Sequence, residues 1–182
     1  MTNSEFLKEK TKKLHDSTEE KMGAGRIFSN DYSHEEYKTL LSKMYKPYST
    51  VEKALKGFQD LEFQSIMKDT YEFKTAFLEK DFSSLSILPP RDIESFVIDN
   101  ENQALGALYV LKGSDMGASI IMKRLERLSS DWPVKSFEFY ASESNPKETW
   151  AKFKEYLDRK EVSEQEQEQM LIGAEKAFMA FH

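Results

Sequence analysis

Apolar residues recur three and four positions apart along nearly all of this 182-residue chain, and no pair of segments alternates as paired strands do. Only 7 Gly and 5 Pro interrupt that rhythm. The fold class expected is therefore all-α, a multihelical single domain over residues 1–182. A first helix over residues 4–22, with Ser4 as its N-cap, would stop at Gly23-Ala24-Gly25. Ser33-His34-Glu35-Glu36 has the form of a capping box, opening a helix that carries Tyr37, Leu40, Leu41, Met44, Tyr48, Val51 and Leu55. Pro47 lies inside that helix and should kink or split it, because its ring clashes with the preceding turn and it has no N–H to donate. Further helices are expected over 61–78, 100–128, 147–159 and 163–181, with a serine-rich connection at 81–90 and an irregular stretch at 129–146. Glu161, Glu164, Glu166 and Glu168 surround the start of the last helix, where the helix dipole favours negative charge.

Composition removes several classes of function. With no Cys, disulfide scaffolds, thiolate zinc sites and cysteine nucleophiles are excluded. Lys and Arg total 26 against 32 Asp and Glu, a formal net charge of -6, so no nucleic-acid partner is expected. The longest apolar run, Ala104 to Leu111, falls far below the roughly 20 residues of a spanning helix, and MTNSEFLKEK lacks the apolar core of a signal peptide. No membrane association is expected, and the reading is of a soluble, cytoplasmic protein.

Gly106, Gly113 and Gly117 stand at i, i+7 and i+11, which places them on one narrow stripe of a helix. Each glycine inside a helix costs about 1 kcal/mol relative to alanine, so something should offset the stripe. Either another helix packs closely on the bare backbone, or a flat ligand lies across it with residues 113–117 bending to receive it. Ser114 and Asp115 stand within that bend. One reading has Ser114 bonded back to the preceding turn and Asp115 solvated; the other has them holding ordered water beside a reactive centre.

The histidines are His15, His34 and His182, and none sits in a Glu-x-x-His or His-Glu-x-x-His pattern. His34 reads as part of an exposed helix start and His182 as a mobile terminus. Glu19 lies one turn after His15 on the same face, and Lys8 lies two turns before it. A carboxylate accepting one imidazole N–H would leave the other nitrogen free for a metal, although a polar face carrying a His/Glu pair is the plainer alternative.

Residues 7–19, LKEKTKKLHDSTE, resemble the proximal helix of bacterial heme oxygenases, and residues 104–117, ALGALYVLKGSDMG, are similar to their distal-helix motif. The ending Ala174-Glu175-Lys176-Ala177-Phe178 also has the look of that family. The resemblance implies heme held between two helices as both substrate and cofactor. Dioxygen and electrons would open it to biliverdin, carbon monoxide and iron. By that resemblance His15 would be the proximal iron ligand with Glu19 orienting it, and Lys8 would pair with a heme propionate. Met116 and Phe178 would contact the cofactor. Gly113, Gly117, Ser114 and Asp115 would form the distal side, the glycines admitting the backbone and the polar pair supporting water. The implied partner is an electron-donor protein, a ferredoxin, flavodoxin or reductase. The chain departs from the family pattern at Ala118, often glycine there, at Lys112, commonly acidic, and at Asp115, one position away from an acidic residue of some members. An alternative on the same fold is a heme-binding or heme-trafficking protein without turnover.

Overall fold

Helix starts in this chain are made by short-range capping, and the computed structural model, which describes residues 1–90, 95–142 and 145–182, places nine helices among them. They are α1 (Asn3–Met22), α2 (His34–Gly57), α3 (Leu61–Thr70), α4 (Thr75–Leu85), α5 (Glu101–Ser114), α6 (Ala118–Leu128), α7 (Glu138–Ala141), α8 (Pro146–Arg159) and α9 (Glu164–Met179). No strand occurs among the described residues, so the all-α expectation holds. No helix among them is long and apolar enough to cross a membrane.

The capping box expected at Ser33 is present, and Ser163 with Glu166 makes another at the head of α9. The cap of α1 is Thr2 rather than Ser4: the Thr2 hydroxyl accepts from the Glu5 N–H, and the Glu5 carboxylate accepts from the Thr2 N–H. Ser4 lies inside the first turn because a distant carboxylate claims it. Its N–H and hydroxyl donate to Asp158 at 2.8 and 2.9 Å. Asn3 beside it donates to the carbonyls of Leu157 and Lys160, closing the end of α8. Gly23, at φ 67°, ends α1 in the left-handed conformation that glycine adopts without strain.

Other expectations change. Of the two outcomes expected at Pro47, a kink or a split, the split does not occur: α2 runs unbroken from His34 to Gly57. The single helix expected over 61–78 is two, α3 and α4, because the buried Glu52 carboxylate captures the chain between them. It accepts from the Tyr71 hydroxyl at 2.7 Å, from the N–H groups of Lys74 and Thr75 at 2.5 and 3.0 Å, and from the Thr75 hydroxyl. α4 then takes up residues 81–85 of the expected connection. Buried Asp81 in it accepts from the Ser136 hydroxyl and from the N–H groups of Glu138 and Phe139, fixing the start of α7. α7 and a 3-10 turn at 129–131 give structure to the stretch expected to be irregular, of which residues 143 and 144 lie outside the described residues.

The core is one cluster of buried side chains, Leu7, Tyr37, Leu105, Leu108, Phe153 and Met170 among them. Its closest helix pair is α5 against α9. A Cβ on Gly106 would stand 1.9 Å from the Met170 carbonyl oxygen, and one on Gly173 would stand 2.0 Å from that of Gln103. The two backbones therefore touch, and only hydrogen fits between them. α1 packs on α8 and α9, leaving a gap between it and the α5–α6 junction.

Candidate functional site

That gap is a cavity of about 730 Å³, within the roughly 300–1,000 Å³ of pockets that take small molecules and cofactors. α1 contributes Lys8, Thr11, Lys12, His15 and Glu19, one i, i+3, i+4 face. The other helical wall carries Val110, Gly113, Ser114, Gly117, Ala118 and Ile121, which keep the same spacing through the 3-10 turn at 115–117.

His15 is half-exposed. Its Nδ1 lies 3.6 Å from an Asp16 carboxylate oxygen and its Nε2 lies 3.6 Å from one of Glu19. Both separations exceed hydrogen-bond length, so the ring is flanked by two carboxylates and bonded to neither. Asp16 went unnoticed in the sequence because adjacent residues point to different parts of a helix. The Phe178 ring meets His15 edge-on, with centroids 6.3 Å apart, and it lines the cavity while remaining 7% exposed.

The glycine stripe divides. Gly106 serves helix packing, as above. A Cβ on Gly113 would meet only Trp150 Cη2, at 3.7 Å, and one on Gly117 would meet nothing within 4 Å. The packing reading holds upstream, where a bare backbone meets α9, while at the bend a bare backbone faces open space.

Ser114 donates to the Leu111 carbonyl at 2.6 Å, the back-bond of the plainer reading. With its only proton committed there, its Oγ at 2.5 Å from the Tyr48 hydroxyl is an acceptor and Tyr48 is the donor. Burial, aided by the nearby Asp115 carboxylate, pushes the Tyr48 phenol well above its ordinary range, so it keeps that proton. Asp115 is not solvated. It is 3% exposed, with one carboxylate oxygen 3.1 Å from Lys74 Nζ and the other 3.3 Å from Lys112 Nζ. Burial raises its pKa above the ordinary carboxylate value while the two ammonium groups pull it back.

Met116 is not among the cavity-lining residues. It falls outside the 110, 113, 114, 117, 118, 121 face and is half-buried elsewhere. Lys8, His15, Glu19, Gly113, Ser114, Asp115, Gly117 and Phe178 all line one space. Sequence reasoning missed Tyr48, Tyr140, Trp150, Lys154 and Phe181, which also line it. Tyr48 was visible only as one more apolar position of α2. The chain end is docked: His182 Nε2 lies 3.0 Å from the Thr18 hydroxyl. His34 lies against Trp132, with centroids 5.1 Å apart.

A model of the heme oxygenase family matches residues 1–182. Among solved structures, the NO- and CO-bound heme oxygenase from Neisseria meningitidis is similar at TM-score 0.77 and 20% identity, over 100% of this chain and 88% of that one. Heme oxygenase from Leptospira interrogans gives 0.76 at 17% identity, over 100% and 97% of the two chains. Heme oxygenase-1 from the cyanobacterium Synechocystis, in complex with heme, gives 0.73 at 16%, over 100% and 89%. No curated protein sequence matches.

Proposed function

The chain belongs to the heme oxygenase family, and we propose that it binds heme in the α1/α5–α6 cavity and degrades it with dioxygen and electrons to biliverdin, carbon monoxide and iron. The observation that carries this reading is that an imidazole without a hydrogen bond, His15, and two glycines with open space above them, Gly113 and Gly117, line one cavity. Among the described residues no three His, Asp or Glu side chains converge on a point where a metal ion could sit. Iron held here would therefore take one ligand from His15 and the rest from a porphyrin.

When bound, heme supplies the iron at which dioxygen is reduced and the ring carbon that is oxidised. The chain's own residues do the rest. His15 would hold the iron from α1, with the carboxylates of Asp16 and Glu19 each 3.6 Å from a ring nitrogen. Lys8, at the same wall, offers an ammonium to a propionate. Gly113 and Gly117 would leave the α5–α6 wall free of bulk for the heme. Tyr48 and Ser114 present a fixed hydroxyl pair at that wall, with the Tyr48 proton directed at Ser114 Oγ. Electrons come from a separate donor protein, a ferredoxin, flavodoxin or reductase.

The test is addition of hemin, then reductant and dioxygen in the presence of catalase. A Soret band that decays as biliverdin absorption rises supports the assignment; absence of any Soret band overturns it. A second reading, heme binding without turnover, is favoured by one observation: both oxygens of the Asp115 carboxylate face lysine ammonium groups. A stable heme complex under the same reducing conditions would select it.

A further inference from the structure

Three charged side chains from two separate segments meet in the interior beside the cavity: Lys74 from the α3–α4 junction, Lys112 from α5, and Asp115 from the bend. Their exposures are 1%, 0% and 3%. Removing such groups from water is costly, and a buried ion cluster is poor evidence for stability as such; its best-attested use is to fix one arrangement among several. The bend needs such fixing. Its centre is the 3-10 turn 115–117 between two helices, with Gly113 two residues before it and Gly117 at its end, neither offering a side chain to hold it.

We infer that Lys74 is a positioning residue for the distal wall of the cavity, acting through the Asp115 carboxylate to hold the 113–117 bend in place. Lys74 is itself fixed at both ends. Its backbone N–H donates to Glu52 of α2 at 2.5 Å, and its ammonium donates to Ser142, just after α7, at 2.7 Å as well as pairing with Asp115 at 3.1 Å. One lysine thus joins α2, the end of α7 and the bend. Ser114, next to Asp115, is held independently by Tyr48 of α2. The bend is gripped at two consecutive residues, Ser114 by Tyr48 at the cavity wall and Asp115 by Lys74 from outside it, and its glycines line the cavity. Lys74 does not line the cavity, so whatever it does for a bound molecule it does through Asp115.

The anchoring can be tested without heme, and its consequence for turnover rests on the heme-degrading reading above. Lys74→Met keeps the side-chain length and removes the charge. In the hemin-free protein, hydrogen exchange of amides 111–118 should accelerate at least about tenfold in this variant, with α1 and α9 unchanged. Combining it with Asp115→Asn should accelerate exchange little beyond either change alone, because both remove the same Lys74–Asp115 anchor. With hemin and reductant, Lys74→Met should hold hemin within about threefold of the parent affinity while the rate of Soret loss falls about tenfold or more. A general loss of fold would move affinity as well. Unchanged exchange at 111–118, or equal loss of affinity and rate, overturns the inference. If Lys74→Met does not fold, Asp115→Asn alone, which retains both lysines, should accelerate exchange in the same eight amides, and no change there overturns it equally. Failure of the parent protein to bind hemin would refute the proposed function and leave the exchange result standing as the judge of the anchor.

Discussion

Gly106 and Met170 meet backbone to backbone: a Cβ on Gly106 would stand 1.9 Å from the Met170 carbonyl oxygen, a separation no relaxation of a flexible side chain can relieve. Gly106→Ala should therefore destabilise the protein by about 1–3 kcal/mol or more, since overpacking outweighs the roughly 1 kcal/mol that alanine gains in helix propensity. Denaturant unfolding of the heme-free protein measures it; a midpoint at or above the parent's would contradict the close α5–α9 crossing.

Gly117→Ala is the matched control and should behave oppositely. Nothing lies within 4 Å of the added methyl, and Gly117 has the right-handed φ of -85°. Stability should stay within about 1 kcal/mol of the parent. The methyl points into open space at the cavity wall, so hemin affinity or turnover should fall while the unfolding midpoint does not. Gly113→Leu, a larger intrusion beside Trp150, should obstruct the cavity more severely with the helices retained by circular dichroism.

His15→Ala should abolish the axial ligation of added hemin by α1. The resonance Raman or electron paramagnetic signature of an iron–imidazole bond, present in the parent, should disappear and return on adding free imidazole. His34→Ala is the comparison. His34 packs on Trp132, and it is not among the residues that line the cavity. An unaltered iron signature in His15→Ala would remove the assignment of that ligand.

Tyr48→Phe deletes the donor to Ser114 Oγ and leaves Ser114 bonded to Leu111. The loss of one buried hydrogen bond should cost about 0.5–1.5 kcal/mol. If the hydroxyl pair serves chemistry at the distal wall, biliverdin formation should slow more than that stability change explains, with hemin affinity preserved. Ser114→Ala should reproduce the kinetic effect.

Asp115 predicts a pH effect of definite sign. Its pKa in the folded protein is raised above 3.8, so the folded state holds that proton more tightly than the unfolded chain. Ionising Asp115 therefore subtracts from stability as pH climbs from 3.8 through the higher folded value, and the group contributes most below that window. The difference in urea midpoint between parent and Asp115→Asn, followed from acid to neutral pH, should change in that window and be flat above it. A flat difference from pH 3 to 7 would count against the burial of this carboxylate.

Features set by a few neighbouring residues were legible in the sequence. The Ser33 capping box, the Gly23 stop and the bend at 113–117 are all local hydrogen-bond or backbone chemistry. So was the common cavity face of His15, Glu19 and Lys8, which helical periodicity alone dictates. Features made by distant partners were not. Nothing near residue 71 announces that Glu52 will end α3 there, and nothing near Ser4 announces Asp158. Lys74 was invisible for the same reason, whereas Lys112 could be noticed as a cation amid an apolar run. Met116 was misjudged by a different route. It was grouped with its sequence neighbours, although the cavity face skips from Ser114 to Gly117 apart from the buried Asp115.

The Gly106 crossing governs how the cavity can change size. Because α5 is pinned to α9 seven residues before Gly113, that helix cannot slide along its axis to widen the aperture without prying two backbones apart. Any breathing of this wall is therefore a tilt of α6 about a fulcrum at 113–117, and the upstream turns act as the fixed jaw of a vice.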